Sequence, residues 1–273
     1  MITQFDNLMD FAVRTAERAG KITLEHFGRA VVERKLDGSE VTAADHGAEE
    51  FIRQMIAERF PEDGIVGEEG AIVEGSSGRR WIVDPIDGTR SFASGVPLYG
   101  VLIAVEIDGS PVLGCCHMPA LREMIVAAKG AGAWHNGGKA EVSEVDELAE
   151  ARVVTGGLEY WRDWTTDAGK EGWNRLVDRT RFARTWGDCY GYLLVATGRA
   201  EILADPATGS YWDYAPMVPI LDEAGGRFTT FGGAPVGAWT TALATNGRVH
   251  DAAAACWDDV PLQVPSIVER QEP

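Results

Sequence analysis

Apolar residues fall at Phe5, Leu8, Met9, Ala12, Ala16, Ala19 and Leu24, close to the spacing of a helix that buries one face. The pattern predicts a helix over residues 5–27, ended by Gly28. Residues 31–40 are too polar for a core and read as an exposed excursion. A second amphipathic run over 48–60 stops at Pro61, and Thr42-Ala43-Ala44-Asp45 before it puts Asp45 at or within the first turn. Residues 65–67 predict a short edge strand with Glu68 and Glu69 at its end. Trp81-Ile82-Val83 predicts a buried strand, and Pro85 is expected to end regular pairing there. Asp84 and Asp87 then stand at the strand's end, before a glycine turn and a short helix over 90–93.

From Leu98 the pattern becomes strand-like over 98–105, 111–117 and 123–128, with turns at Asp108-Gly109 and Pro119-Ala120. That predicts an antiparallel meander, followed by a hairpin over 131–138 that turns at Asn136-Gly137. Residues 141–150 are polar and acidic, which suggests a boundary between an α+β half, 1–147, and an α/β half, 148–273. In the second half, strands over 152–156, 182–186 and 201–204 alternate with helices over 171–179, 190–197 and 212–224. Strands near Phe228 and over 240–244 and a last helix from His250 follow, so the sheet should be partly parallel. There is no internal repeat, and the tail from Pro261 is expected to be loosely held.

Composition narrows the function more than the fold. The 273 residues carry a net charge of −17, which argues against nucleic acid or an anionic membrane as a partner. No window reaches the length of a membrane span and the N-terminus has no charged-then-apolar leader, so the cytoplasm is the expected location. The four cysteines, Cys115, Cys116, Cys189 and Cys256, lack zinc-type spacing and read as reduced packing residues. His117 and His135 have no partner at metal spacing and read as structural.

The candidate chemistry lies at Gly67–Thr89. Acids crowded at a strand end repel one another, and divalent cations remove the conflict because hard ions take carboxylate and carbonyl oxygens. Two ions sharing a carboxylate are the usual equipment for phosphate-ester displacement. Adjacent glutamates are commonly solvated surface, but the glycines around Glu68 and Glu69 and the later aspartates mark one of them as a ligand. Only one of two neighbours on an extended chain can face a given site. Gly88 lets a backbone approach an anion, and the N–H groups of Gly88 and Thr89 suit a phosphate oxygen. Asp45 is either a helix cap or part of the site, and Asp213, opening an apolar helix, is either a cap or a further metal ligand.

Thr42-Ala43-Ala44-Asp45, Gly67-Glu68-Glu69, Asp84-Pro85-Ile86-Asp87-Gly88-Thr89 and Trp212-Asp213 with Glu223-Ala224-Gly225-Gly226 resemble the inositol monophosphatase family, over nearly the whole chain. The resemblance implies a layered α/β/α/β/α sandwich of the sugar-phosphatase type, Mg²⁺ dependence with two or three ions per site, and hydrolysis of a phosphate monoester. It implies that Glu68, Asp84 and the Ile86 carbonyl hold one metal, that Asp84, Asp87 and Asp213 hold a second, and that Asp45 with Glu68 reaches a third through water. Glu68 and Thr89 would orient the attacking water and help take its proton. The first half would then carry most ligands, and the second would supply Asp213 and the substrate pocket. A homodimer is implied as well.

Within the family, Gly88-Thr89-Arg90-Ser91-Phe92, Gly95-Val96-Pro97 and residues 185–192 resemble the histidinol-phosphate phosphatases. A cationic leaving group calls for an acidic pocket, for which Asp188 and Asp205 are the candidates. Asp188 equally fits a helix cap and Asp205-Pro206 an ordinary turn. An inositol or other sugar phosphate would use the same carboxylates as hydrogen-bond acceptors. Trp161, Trp186, Tyr190 and Tyr192 either shape that pocket or belong to the core. A catalytically silent metal-binding protein is the third reading, weakened by an oxygen donor at every ligand position. Tyr214-Ala215-Pro216 departs from the small residues of most relatives, and Pro219 is expected to kink the helix over 212–224.

Overall fold

The first apolar stripe folds as helix α1 (Asp6–His26), which buries Leu8, Phe11, Ala12, Thr15, Ala16 and Ala19. The computed structural model describes residues 5–29, 33–34, 40–206 and 209–258. Most of the expected excursion over 31–40 and the whole tail from Pro261 lie outside those residues. Gly28 takes φ of 69°, where a glycine ends a helix at little cost. A two-residue ribbon, β1 (Glu33–Arg34) paired with β2 (Glu40–Val41), leads to α2 (Ala43–Arg59). That helix starts five residues before its apolar run, because Thr42 and Asp45 close a capping box at its N-terminus.

One sheet holds seven strands in chain order. They are β3 (Gly64–Gly67), β4 (Arg79–Asp87), then, after helix α3 (Thr89–Ala93), β5 (Gly100–Ile107), β6 (Ser110–Met118), β7 (Glu123–Ala128), β8 (Gly132–His135) and β9 (Gly138–Lys139). The edge strand β3 pairs parallel to β4, and the rest is an antiparallel meander as expected. The β4–β5 register shifts between Asp84, opposite Leu102, and Asp87, opposite Gly100. Pro85 therefore does not end the pairing. A bulge absorbs the residue that lacks an N–H, and Asp87 rejoins the ladder.

The second sheet runs β11–β10–β12–β14–β13. Its elements are β10 (Arg152–Val154), α4 (Leu158–Asp163), α5 (Asp167–Arg179), β11 (Phe182–Arg184), α6 (Asp188–Ala196), β12 (Ile202–Asp205), α7 (Tyr211–Tyr214), α8 (Met217–Glu223), β13 (Arg227–Thr229), β14 (Ala242–Thr245) and α9 (His250–Ala254). β10 is parallel to both β11 and β12, and the remaining pairs are antiparallel. The expected single helix over 212–224 is two helices. Pro216 caps α8, and Pro219 falls in its first turn, where a missing N–H leaves no helical bond unmade. The break at Ala215–Pro216, and not a kink at Pro219, absorbs the prolines.

Three apolar clusters stack these elements into an α/β/α/β/α sandwich. Ala12, Ala16 and Ile52 of the outer helices pack on Trp81, Ile103 and Leu113 of the first sheet. The opposite face of that sheet, through Leu102, Met118 and Ile125, meets α6 and α8, which also cover Val154 and Leu203 of the second sheet. Trp161, Trp173, Phe231 and Trp257 fill the last layer. Trp161 and Tyr192 are thus core residues, as their spacing allowed. All four cysteines are buried and free. His117 bonds the Ala16 carbonyl at 3.0 Å and His135 lies 3.0 Å from Glu123, so both are structural.

Candidate active site

The β4 bulge and the short helix α7 aim at the same point. One carboxylate oxygen from each of Asp84, Asp87 and Asp213 lies within 4.8 Å of the others, bringing together residues from the two sheets' halves of the chain. Each is held by a backbone amide. Ile86 N donates to Asp84 Oδ1 at 2.9 Å, Cys189 N of α6 to Asp87 Oδ2 at 2.5 Å, and Ser210 N to Asp213 Oδ2 at 2.6 Å. Glu68 follows β3, its N–H donating to Val83 O at 3.2 Å, and its charge acts on both Asp84 and Asp213. The Glu69 side chain is buried, 4.0 Å from His46 Nδ1 of α2. Of the two neighbours, Glu68 is the one turned to the cluster.

Burial lifts the carboxyl of Asp84 well above the usual range, and the charges of Glu68, Asp87 and Asp213 lift it further. Asp213 is raised in the same way, by burial first and then by Asp87 and Glu68. Asp87 is raised by burial while its bonds from Cys189 oppose the shift. A cluster whose members raise one another's pKa is poor structural glue and a good cation site. A divalent ion would offset the repulsion among these carboxylates, and oxygen-only donors suit Mg²⁺. The donor set therefore fits the implied metal. Asp84, Asp87, Asp213 and Glu68 could hold it, with the Ile86 carbonyl beside them.

The other expected site residues are placed as follows. Thr89 opens α3 and donates Oγ1 to Ile86 O at 3.1 Å, while Gly88 before it has φ of 85°. Asp45 is 1% exposed and accepts from Thr42 N at 2.8 Å and Thr42 Oγ1 at 2.6 Å, both on Oδ2. It is the acidic partner of a capping box, and the three-carboxylate cluster does not include it. Asp188 is the first residue of α6, at φ of 52°. Its Oδ2 lies 3.5 Å from where a Cβ on Gly88 would stand, so it adjoins Gly88. Burial, Asp87 and Asp205 raise its pKa, and Arg90 opposes them. Asp205 sits deeper. Its Oδ1 accepts from Thr155 Oγ1 at 2.5 Å and Gly156 N at 2.8 Å, and burial pushes its pKa up to about 7.

Three features had no signal in the sequence. The Cys189 amide that steadies Asp87 is a backbone group 102 residues away. Helix α4 has no clean apolar period, yet it brings Tyr160 next to Asp188, whose charge, after burial, raises the phenol's pKa. Arg90 spans the rim, bonding Glu159 at 2.8 Å and lying 5.7 Å from the Tyr160 ring centroid. Asp188, Asp205 and Glu159, with Arg90 among them, therefore form an acidic group beside Asp87 of the cluster.

Known proteins are similar to this chain in sequence and in fold. The profile of the inositol monophosphatase family matches residues 4–259. The histidinol-phosphatase of Chlorobaculum parvum is 47% identical over 224 residues, which is 80% of this chain and 83% of that protein. That of Mycobacterium tuberculosis is 37% identical over 250 residues, 90% of this chain and 95% of its own. Among solved structures, the Thermotoga maritima IMPase matches with a TM-score of 0.83 at 31% identity, covering 93% of this chain and 97% of its own.

Proposed function

This chain belongs to the inositol monophosphatase family, and from that premise we propose that it is a Mg²⁺-dependent histidinol-phosphate phosphatase, turning L-histidinol phosphate and water into L-histidinol and phosphate. It is a phosphoric monoester hydrolase. In this reading Glu68, Asp84 and the Ile86 carbonyl hold one ion, Asp84, Asp87 and Asp213 a second, and Asp45 with Glu68 a third through water. Bound Mg²⁺ supplies the positive charge that acidifies a water and offsets charge on the phosphoryl oxygens and the leaving alkoxide.

The chain's own groups do the rest. Thr89 Oγ1 gives its proton to the bond with Ile86 O, which leaves its lone pairs to accept a bond from the attacking water and orient it. Glu68, turned to the cluster, accepts the proton that this water loses. The N–H groups of Gly88 and Thr89 bind a phosphate oxygen. Asp188, beside Gly88, accepts the substrate's ammonium or imidazolium, and Asp205 behind it adds negative potential. A homodimeric enzyme of the cytoplasm, acting in histidine biosynthesis, with a metal-bearing half over 1–147 and a pocket-bearing half over 148–273, completes the reading.

The observation that carries it is the meeting of Asp84, Asp87 and Asp213 within 4.8 Å, with Glu68 acting on two of them. The acidic surroundings of Asp188 favour a cationic leaving group over a neutral one. A polyol leaving group is the second reading, since carboxylates also accept from hydroxyls. Steady-state rates on L-histidinol phosphate and inositol 1-phosphate, with Mg²⁺ and after exhaustive chelation, decide both points. We expect kcat/KM for histidinol phosphate to exceed that for inositol phosphate at least tenfold, and chelation to abolish both activities. A preference for inositol phosphate would overturn the substrate, and activity indifferent to chelation would overturn the metal.

A further inference from the structure

Glu49 lies two turns into α2, away from the aspartate cluster, and is 2% exposed. Its Oε2 accepts from Glu69 N and its Oε1 from Gly70 N, each at 2.8 Å. Arg53, one turn on, donates Nε to Glu49 Oε1 at 2.7 Å. The same guanidinium donates Nη1 to Ala71 O at 2.8 Å and Nη2 to Gly70 O at 3.0 Å. Two side chains of one helix thus hold two amides and two carbonyls of the segment directly after Glu68. The fit leaves no slack. A Cβ on Gly67 would lie 2.4 Å from Glu49 Oε1, and one on Gly70 2.8 Å from the Arg53 guanidinium carbon. These two glycines serve close approach, since neither has a positive φ.

The clamp matters because of where Glu68 stands. It follows an edge strand, so only β4 steadies it from the sheet side, through its N–H to Val83 O. On the other side β3 carries one isolated bridge among the described residues, Ile65 to Val73, three residues before Glu68, and a carboxylate must be held to within about half an ångström to act in a site. We propose that Glu49, backed by Arg53, is a positioning residue that fixes the Glu68 carboxylate against Asp84 and Asp213. This rests on the reading of Glu68 as metal ligand and proton acceptor. Glu49 itself touches neither substrate nor metal. Its part is to receive the two amides, so that the turn after Glu68 has one conformation before any ligand arrives.

A double-mutant cycle of Glu49→Gln and Glu68→Gln tests it, with Mg²⁺ affinity measured by calorimetry beside the kinetics. In Glu49→Gln the new side-chain amide keeps the shape but sets a donor against one loop N–H and loses the charge that pairs Arg53. We expect Glu49→Gln to lower kcat at least tenfold with KM within threefold, and to weaken Mg²⁺ binding about fivefold. In the Glu68→Gln background the same change should alter kcat by less than twofold, because its effect passes through Glu68. Parental kcat or parental Mg²⁺ affinity in folded Glu49→Gln, or a full further loss on top of Glu68→Gln, would overturn the positioning role alone. Parental kcat in Glu68→Gln would overturn the role of Glu68 and the positioning role with it. Should Glu49→Gln lower the Tm too far to assay, Arg53→Gln, which removes the two carbonyl bonds, carries the same expectations and the same overturning results.

Discussion

Asp188 occupies a left-handed backbone position that most side chains avoid, at φ of 52°. Asn tolerates that conformation nearly as well as Asp, so Asp188→Asn removes the charge and keeps the turn. A bond from a charged donor to a carboxylate contributes about 1.5–3 kcal/mol. The expected outcome is a KM for histidinol phosphate raised about tenfold or more, with a smaller change for inositol phosphate, read from steady-state kinetics on both. Asp84 and Asp87 were legible in the sequence because acids crowded at a strand end are unusual, whereas Glu68 was one of two neighbouring candidates and Asp213 fitted a helix cap as well, so the family resemblance had to single them out. Asp188 and Asp205 were visible only as alternatives, each fitting a cap or turn as well. Glu49 and the Cys189 amide were not legible at all. Their partners are backbone or side-chain groups 20 and 102 residues away, and no local pattern records a bond to a distant peptide.

Helices and strands were readable where period and turn chemistry agreed, as in α1, β7 and the hairpin at Asn136-Gly137. They were misread where one residue's backbone chemistry overrode the pattern. Pro85 is absorbed in a bulge and Pro216 divides α7 from α8, whereas the start of α2 is as read, with Asp45 in its first turn and the Thr42–Asp45 box setting the boundary. The last case is testable. Thr42 accepts from Ala44 N at 3.2 Å and donates to Asp45 Oδ2, so Thr42→Ala strips the start of α2 of its cap. The expected cost is about 1 kcal/mol, seen as a Tm lower by about 2–4 °C in a thermal melt. An unchanged Tm would mean that packing alone fixes where α2 begins.

For the whole molecule, the layer order followed from the family resemblance more than from any periodicity, since hydrophobic spacing does not say which sheet a helix covers. The layers meet most closely at Gly114 of β6, where an added Cβ would stand 1.9 Å from the Pro216 carbonyl. Gly114→Ala must therefore push the central helices off the first sheet. Overpacking of this kind costs about 1–3 kcal/mol. Pro216 is three residues past Asp213, so the shift reaches the cluster, and a misplacement near 1 Å can cost about a hundredfold in rate. We expect a lower Tm together with a kcat reduced at least tenfold. A lower Tm with parental kcat would show that Asp213 is insulated from the packing beneath it.

The first turn of α6 carries two contacts on adjacent residues, with Asp188 beside Gly88 and the Cys189 amide tethering Asp87. With Asp188 receiving the leaving group as proposed, substrate choice and reaction chemistry are geared together through one peptide unit. A lineage built on this scaffold is free to change its diet by swapping the side chain at 188. It is not free to lengthen or re-route that turn, because the same move would unseat Asp87.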